Sequence, residues 1–231
     1  MVFWNYAWTL ADEMHVKLGE DVISWEVHGV SHLEAVENSA KGAILMTAHM
    51  GNYDVAAPFF APRFKQKIHM VRTPERQKES QDYQHSLRVK SGGFMVHYNE
   101  PGSMLGVELA KCLGDGDVVA IQGDRILFDV SSIPLRFDEH SEWQLPRGPF
   151  MLAAVTGAAI HPMFIVRSGY RKYRIESFPP IEIDRRREAR ATAQQDVARR
   201  WSEVLKGVVV RHWNNWFVFE GVFSPVREEE S

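Results

Sequence analysis

The sequence predicts an α/β domain, a mostly parallel central sheet flanked by helices, built as one unit over residues 1–231. Three observations predict it. Strand-like and helix-like segments alternate along nearly the whole chain. Residues 43–48, AILMTA, form a short continuous apolar run, as expected for a strand covered on both faces. No Pro/Gly/Ser-rich linker, repeat or composition shift divides the 231 residues, a length that suits one large domain at roughly 100–200 residues per domain.

The elements follow in order. In the opening MVFWNYAWTLADEM, residues Phe3, Trp4, Ala7 and Trp8 recur at helical spacing. This marks an amino-terminal helical segment over 1–24, packed on its own domain or lying in a membrane surface. The core over 25–220 begins with a strand at 22–28. Ser31 and Glu34 then form a Ser-x-x-Glu capping box for a helix over 31–40. The strand 43–48 is followed by a helix at 53–61, a strand at 67–71, a helix at 76–90, a strand at 94–98, a helix at 103–113 and a strand at 117–122. A loop leads to a helix near 148–156 and a strand near 159–166. A hairpin-like stretch covers 171–183, an Arg-rich helix spans 185–206, and an aromatic strand closes the core at 213–219.

Composition narrows the function. The chain is 45% apolar and 25% charged, with a net charge of −3, which disfavours a general nucleic-acid binder. Its single cysteine, Cys112, excludes an internal disulfide and a Cys-based zinc site. In the apolar run LAKCLG it reads as a small core residue. The ten histidines lack a His-x-x-Glu-x-x-His or similar cluster, so no metal is expected. No stretch reaches the ~18 apolar residues of a spanning helix, and the amino terminus lacks the basic lead of a signal peptide. Charge is locally uneven: residues 63–90 hold eight Lys/Arg against three Asp/Glu, and residues 185–200 hold six Arg against two acids. The second run reads as a solvated helix face or as a surface for an acidic carrier protein or anionic headgroups.

The stretch Thr47-Ala48-His49-Met50-Gly51-Asn52-Tyr53-Asp54 carries the chemistry. It reads as an apolar strand, a histidine at the strand exit, a glycine that permits a sharp turn and an asparagine that can cap the next helix. Asp54 then lies in that helix's first turn, where the dipole favours the carboxylate. Open α/β sheets bind ligands at the carboxyl ends of their strands, which is where His49 falls. A carboxylate on one imidazole nitrogen fixes the tautomer and leaves the other free to take a proton.

His49 to Asp54, as HMGNYD, resembles the His-x4-Asp/Glu motif of the lysophospholipid and glycerolipid acyltransferase superfamily. The form is closest to that of the bacterial lipid A lauroyl and myristoyl acyltransferases and the related mannoside acyltransferases. Further blocks resemble theirs in order: Val27-His28-Gly29; Val71-Arg72-Thr73-Pro74 with Arg88 and Gly92-Gly93; Gly123-Asp124-Arg125; Pro146-Arg147-Gly148-Pro149 with MLAAVTGAAIHPMF; and Trp213-Asn214-Asn215-Trp216-Phe217. Two features depart from the family. Its members usually carry an amino-terminal membrane helix, and this sequence begins where that region would be ending, which implies a peripheral member or a chain without its anchor. The C-terminal block has Trp213-Asn-Asn-Trp216 where Pro-x-x-Trp is common.

The resemblance implies transfer of an acyl group from acyl carrier protein or coenzyme A to a hydroxyl of a lipid acceptor, with no metal or other cofactor. His49 is the expected general base and Asp54 the carboxylate that orients it. Gly51, Asn52, Arg72, Arg88, Asp124, Arg125, Arg147 and Gly148 are the expected substrate-binding residues, the arginines for phosphate or carboxylate. Asp124 could instead be structural, holding one of these arginines. Backbone N–H groups around Gly148 and Phe150, or an arginine, are candidates for the oxyanion. The expected location is the cytoplasmic face of a bacterial inner membrane, held peripherally. A thioesterase using the same pair, or a non-enzymatic lipid-binding relative, are the alternatives.

Overall fold

A computed structural model describes residues 1–39, 41–74, 94–100, 102–126, 131–184 and 192–226, with the side chains at 54, 57, 58, 60 and 61 outside the description. The elements are α1 (Val2–Lys17), β1 (Ser24–His28), α2 (Val30–Glu37), β2 (Ala43–Thr47), α3 (Tyr53–Phe60), β3 (Ile68–Arg72), β4 (Phe94–Tyr98), α4 (Leu105–Gly114), β5 (Val118–Gln122), β6 (Ser132–Arg136), β7 (Ser141–Pro146), α5 (Arg147–Thr156), β8 (Ile160–Gly169), β9 (Lys172–Ser177), α6 (Ala193–His212) and β10 (Phe223–Pro225). The expected helix at 76–90, with Arg88 and Gly92-Gly93, lies outside the described residues, as does the start of the Arg-rich segment.

Seven strands form one sheet in the order β1-β9-β8-β2-β5-β3-β4. Every pairing in it is parallel except β8 with β9. The predicted α/β class with a mostly parallel sheet is therefore the observed one. β2 lies inside the sheet, and all five of its residues are buried, as its unbroken apolar run requires. Two apolar layers sandwich the sheet. One holds Phe150, Phe164 and Trp201, with α5 and α6; the other holds Leu33, Leu45, Ile165 and Tyr173, with α2 and α3.

Several expectations are corrected. The Ser31–Glu34 capping box does not form, because α2 is capped two residues earlier. Its N-cap is Gly29, left-handed at φ 78°, where a Cβ would stand 2.1 Å from the Ser177 carbonyl oxygen. The region read as loop before α5 contains β6 and β7, which form a second, antiparallel sheet with β10. Ile133, Leu135, Trp143 and Leu145 alternate inward along it. Pro134 and Pro146 mask that alternation; Pro134 is tolerated because β6 is an edge strand. The hairpin assigned to 171–183 is formed between β8 and β9. The expected strand 213–219 is a 3₁₀ turn, Trp213–Asn215, followed by a single bridge from Trp216 to Met50.

α1 is built inside out. Its buried residues are Thr9 and Asp12, while Phe3, Trp4, Leu10 and Met14 stand exposed along the opposite side. The docked face is clasped by polar contacts. Tyr173 donates its hydroxyl to Asp12 at 2.8 Å, Asn52 donates to the Thr9 carbonyl at 3.0 Å, and Asn5 donates to the Asn214 carbonyl at 3.0 Å. Among the described residues, no helix is long and apolar enough to cross a membrane.

Candidate active site

β2 and β5 are parallel neighbours with Thr47 opposite Gln122, and the Gly123 N–H donates to the Thr47 carbonyl at 2.9 Å. Two residues beyond each strand, the chain presents His49 and Asp124 at the carboxyl edge of the sheet. The shared register delivers the two side chains to one spot. His49 Nδ1 lies 2.7 Å from Asp124 Oδ1, and the His49 backbone N–H donates to Oδ2 at 2.9 Å.

Asp124 is fully buried, so its charge must be satisfied from within the protein. Trp216 Nε1–H donates to Oδ2 at 2.9 Å. Two more indoles fix the backbone: Trp143 donates to the Asp124 carbonyl at 3.0 Å and Trp201 to the Gly123 carbonyl at 3.1 Å. Burial alone would push the carboxyl up. The facing imidazole and the hydrogen bonds from His49 and Trp216 outweigh it and hold Asp124 below its ordinary value, ionised. An ionised carboxylate only accepts hydrogen bonds, so Nδ1 carries the imidazole proton and Nε2 presents a lone pair. Arg125 Nε–H reaches that nitrogen at 3.3 Å.

Gly51 and the C-terminal turn hold the histidine loop in place. Gly51 has φ 57°, and a Cβ there would stand 2.1 Å from the Ile165 carbonyl oxygen. Its N–H donates to the Asn215 carbonyl at 3.1 Å, and the Phe217 N–H donates to the His49 carbonyl at 2.7 Å. Asn52 accepts from the Val55 N–H at 3.0 Å, capping α3 as its position predicts, while its amide nitrogen holds α1.

His49, Gly51, Asn52, Tyr53 and Arg125 line a cavity of about 260 Å³ whose other wall is Tyr6, Thr9, Leu10 and Glu13 of α1 with Phe217 and Phe219. Tyr53 also lines a smaller apolar cavity of about 50 Å³ with Leu45, Ile68, Met70, Met163 and Ile165. Arg72 lies over the Tyr53 ring, its guanidinium carbon 5.0 Å from the centroid.

The sequence-predicted residues thus separate into groups. The fold gathers His49, Gly51, Asn52, Asp124 and Arg125, with Arg72 one aromatic ring away. Arg147 and Gly148 are exposed at the start of α5 and are not among the residues lining the cavity, and Phe150, the other oxyanion candidate in that turn, is buried in the core. Asp54 lies in the first turn of α3, with its side chain outside the description. Among the described side chains, the carboxylate on the His49 ring is that of Asp124, at Nδ1. Sequence reasoning missed the three indole donors and the α1 wall. The Trp213–Phe217 block signalled that this segment mattered without saying what it held.

Fold and site together define an α/β protein with an imidazole–carboxylate pair at the carboxyl edge of a parallel sheet, opening on a cavity. The chain belongs to the bacterial lipid A biosynthesis acyltransferase family, whose model matches residues 2–223. It is similar to a phosphatidylinositol mannoside acyltransferase of Mycolicibacterium smegmatis, 27% identical over 164 residues, covering 70% of this chain and 51% of that protein. It is also similar to a phosphatidylinositol mannoside acyltransferase of Mycobacterium tuberculosis, 27% identical over 183 residues, covering 78% of this chain and 55% of that protein. The chain spans about half the length of the curated relatives it matches.

Proposed function

We propose that the protein transfers a fatty acyl group from an acyl thioester, on acyl carrier protein or coenzyme A, to a hydroxyl of a glycolipid acceptor. His49 is the general base and Asp124 the carboxylate that orients it. The observation that carries this reading is the 2.7 Å contact between His49 Nδ1 and a fully buried Asp124, on a histidine that lines a cavity together with Arg125. The acceptor hydroxyl gives its proton to Nε2 as its oxygen attacks the thioester carbonyl. The resulting imidazolium is stabilised by Asp124. The tetrahedral oxyanion forms beside Arg125, which moves from the imidazole to the new charge. Collapse breaks the carbon–sulfur bond, and the departing sulfur takes the proton from Nε2. No covalent enzyme intermediate arises, so both substrates must be bound together. The family and relative names favour a sugar hydroxyl on an anionic lipid as acceptor.

The inverted α1 supports peripheral attachment to a membrane. Phe3, Ala7, Leu10 and Met14 follow helical spacing on the exposed side of a helix that also walls the cavity, and Phe3 stacks on exposed Phe219 at 5.3 Å. A lipid acceptor would then reach His49 from the bilayer surface. The paired change Leu10→Glu with Met14→Glu is expected to abolish cosedimentation with anionic phospholipid vesicles while leaving the melting temperature unchanged.

The direct test is incubation with palmitoyl-coenzyme A or palmitoyl acyl carrier protein and a panel of lipid A precursors and phosphatidylinositol mannosides. Acceptor-dependent ester formation is expected, reduced about 10²–10⁴-fold in His49→Ala. Unchanged ester formation in that variant would remove the general-base role. Free fatty acid formed at a rate indifferent to acceptor would make the protein a thioesterase.

A further inference from the structure

We propose that His69, His97 and Cys112 form a binding site for one divalent transition-metal ion, with Zn²⁺ the best match, at the β4 edge of the sheet and separate from the His49 site. The three residues come from three elements: His69 from β3, His97 from β4 and Cys112 from α4. His69 Nδ1 lies 2.9 Å from His97 Nε2 and 3.6 Å from Cys112 Sγ, and the three ligand atoms all fall within 4.8 Å of one another. Tetrahedral zinc with bonds of about 2.0–2.1 Å to nitrogen and 2.3 Å to sulfur needs N···N of about 3.3 Å and N···S of about 3.6 Å. The fold therefore holds the donors within a few tenths of an ångström of the required spacing for these two pairs.

The second observation is what lies behind the donors. A metal-bound histidine characteristically gives its other ring N–H to a carboxylate, which fixes the tautomer and aims the lone pair at the ion. His69 is backed in that way, and His97 has a carboxylate beside its other ring nitrogen at ion-pair distance. His69 Nε2 lies 3.1 Å from Asp117 Oδ2, and His97 Nδ1 lies 3.7 Å from Glu108 Oε2. Glu108 and Cys112 are four apart on α4, so one helix face supplies both the sulfur and a backing carboxylate. A plain hydrogen bond between the two rings would not require the thiol or either carboxylate.

Two imidazoles and one thiolate suit zinc or cobalt better than magnesium or calcium, which prefer oxygen. On binding, the Cys112 sulfur forms a bond to the metal and its proton passes to solvent. A fourth position is left for water. The expectation of no metal, and of no zinc site using cysteine, rested on a single Cys and on the lack of a histidine cluster in sequence; a mixed set with one thiol, assembled from three elements, escapes both arguments. Occupancy would tie the edge strand β4 to β3 and α4.

The test uses the untagged chain, stripped with a chelator and titrated with Co²⁺ and then Zn²⁺. Expected are one bound Co²⁺ with thiolate-to-metal absorption in the near ultraviolet, its displacement by Zn²⁺, and a Zn²⁺-dependent rise in melting temperature. Cys112→Ser should lose the charge-transfer band, and His97→Gln, at the half-buried edge, should weaken binding about tenfold or more. Circular dichroism of the metal-free variants checks folding, and either variant alone suffices if the other fails to fold. Absence of both the band and the melting shift in the wild-type protein overturns the proposal. So does binding that survives unchanged in both substitutions, because the ion then sits elsewhere.

Discussion

His49 stands two residues beyond β2 with one ring nitrogen on Asp124, and His69 stands inside β3 with one ring nitrogen on Asp117. Both are histidine–aspartate pairs on a single sheet. They differ in which nitrogen the carboxylate takes and in what the other one faces. In His49 the carboxylate holds Nδ1, Nε2 meets Arg125, and the residue lines a cavity. In His69 it holds Nε2, and Nδ1 meets an imidazole and a thiol in a place where only 4% of the residue is exposed. A carboxylate prepares a lone pair, and the surroundings of that lone pair decide whether it is offered to a proton or to a metal. A third histidine, His161 of β8, is buried like His69 and is the control. No carboxylate contact is seen for it among the described residues, and burial pushes it down to about 4.

The largest expected effect breaks the first pair. Asp124→Asn can present the wrong hydrogen-bonding partner to Nδ1–H and remove the charge that stabilises the imidazolium. Turnover should fall about 10³–10⁴-fold with little change in KM. Initial rates against acceptor concentration read the split. A loss confined to KM would make Asp124 a substrate residue, as the sequence first suggested.

His161 gives the next effect, because it is held uncharged by burial alone. Its folded value of about 4 lies below the unfolded value of about 6.5, so the folded state binds fewer protons between them. Its contribution is complete above about pH 6.5 and is lost as pH falls towards 4, amounting to about 3 kcal/mol at most. His161→Leu should flatten that part of the stability profile in urea titrations from pH 7 to 4. It should cost little at pH 7, since Nδ1 has no hydrogen-bond partner among the described residues.

Asp117→Asn sharpens the contrast between the pairs. Losing a backing carboxylate is expected to weaken Zn²⁺ about 10–100-fold. Acyl transfer should be unchanged, since Asp117 and His69 do not line the His49 cavity. Loss of acyl transfer in this variant at saturating Zn²⁺ would mean that the two pairs are coupled.

The sequence made the elements legible and left their neighbours hidden. The run AILMTA fixed a buried strand, and the alternation that follows fixed the class. His49 was legible because a strand, a turn glycine and a capping asparagine surround it. Its partner was not, because Asp54 is near in sequence while Asp124 is 75 positions away. Only the β2–β5 pairing brings them together, and sheet order is not written in local pattern. The same holds for His69, His97 and Cys112, three solitary residues until β3, β4 and α4 pack. The aromatic residues of α1 were legible as a helix. Which side faced the core was not, because burial normally sorts apolar residues inward and here polar clasps do the docking.

The smallest effect tests how much of the His49 pair depends on residues remote in sequence. Trp216→Phe keeps the ring and its packing against Trp143, 5.4 Å between centroids, but removes the indole N–H from Asp124 Oδ2. The carboxylate keeps its two bonds from His49, so the pair survives with one fewer anchor. A hydrogen bond to a charged group is worth about 1.5–3 kcal/mol, and part of that should appear as roughly a tenfold fall in kcat. Stability should fall by a similar amount in a denaturant titration. Asp124 would also be less firmly held in its ionised form, so the acid limb of the kcat–pH profile should move to higher pH. A purely structural role for Trp216 would lower stability and leave that limb where it is in the wild-type protein.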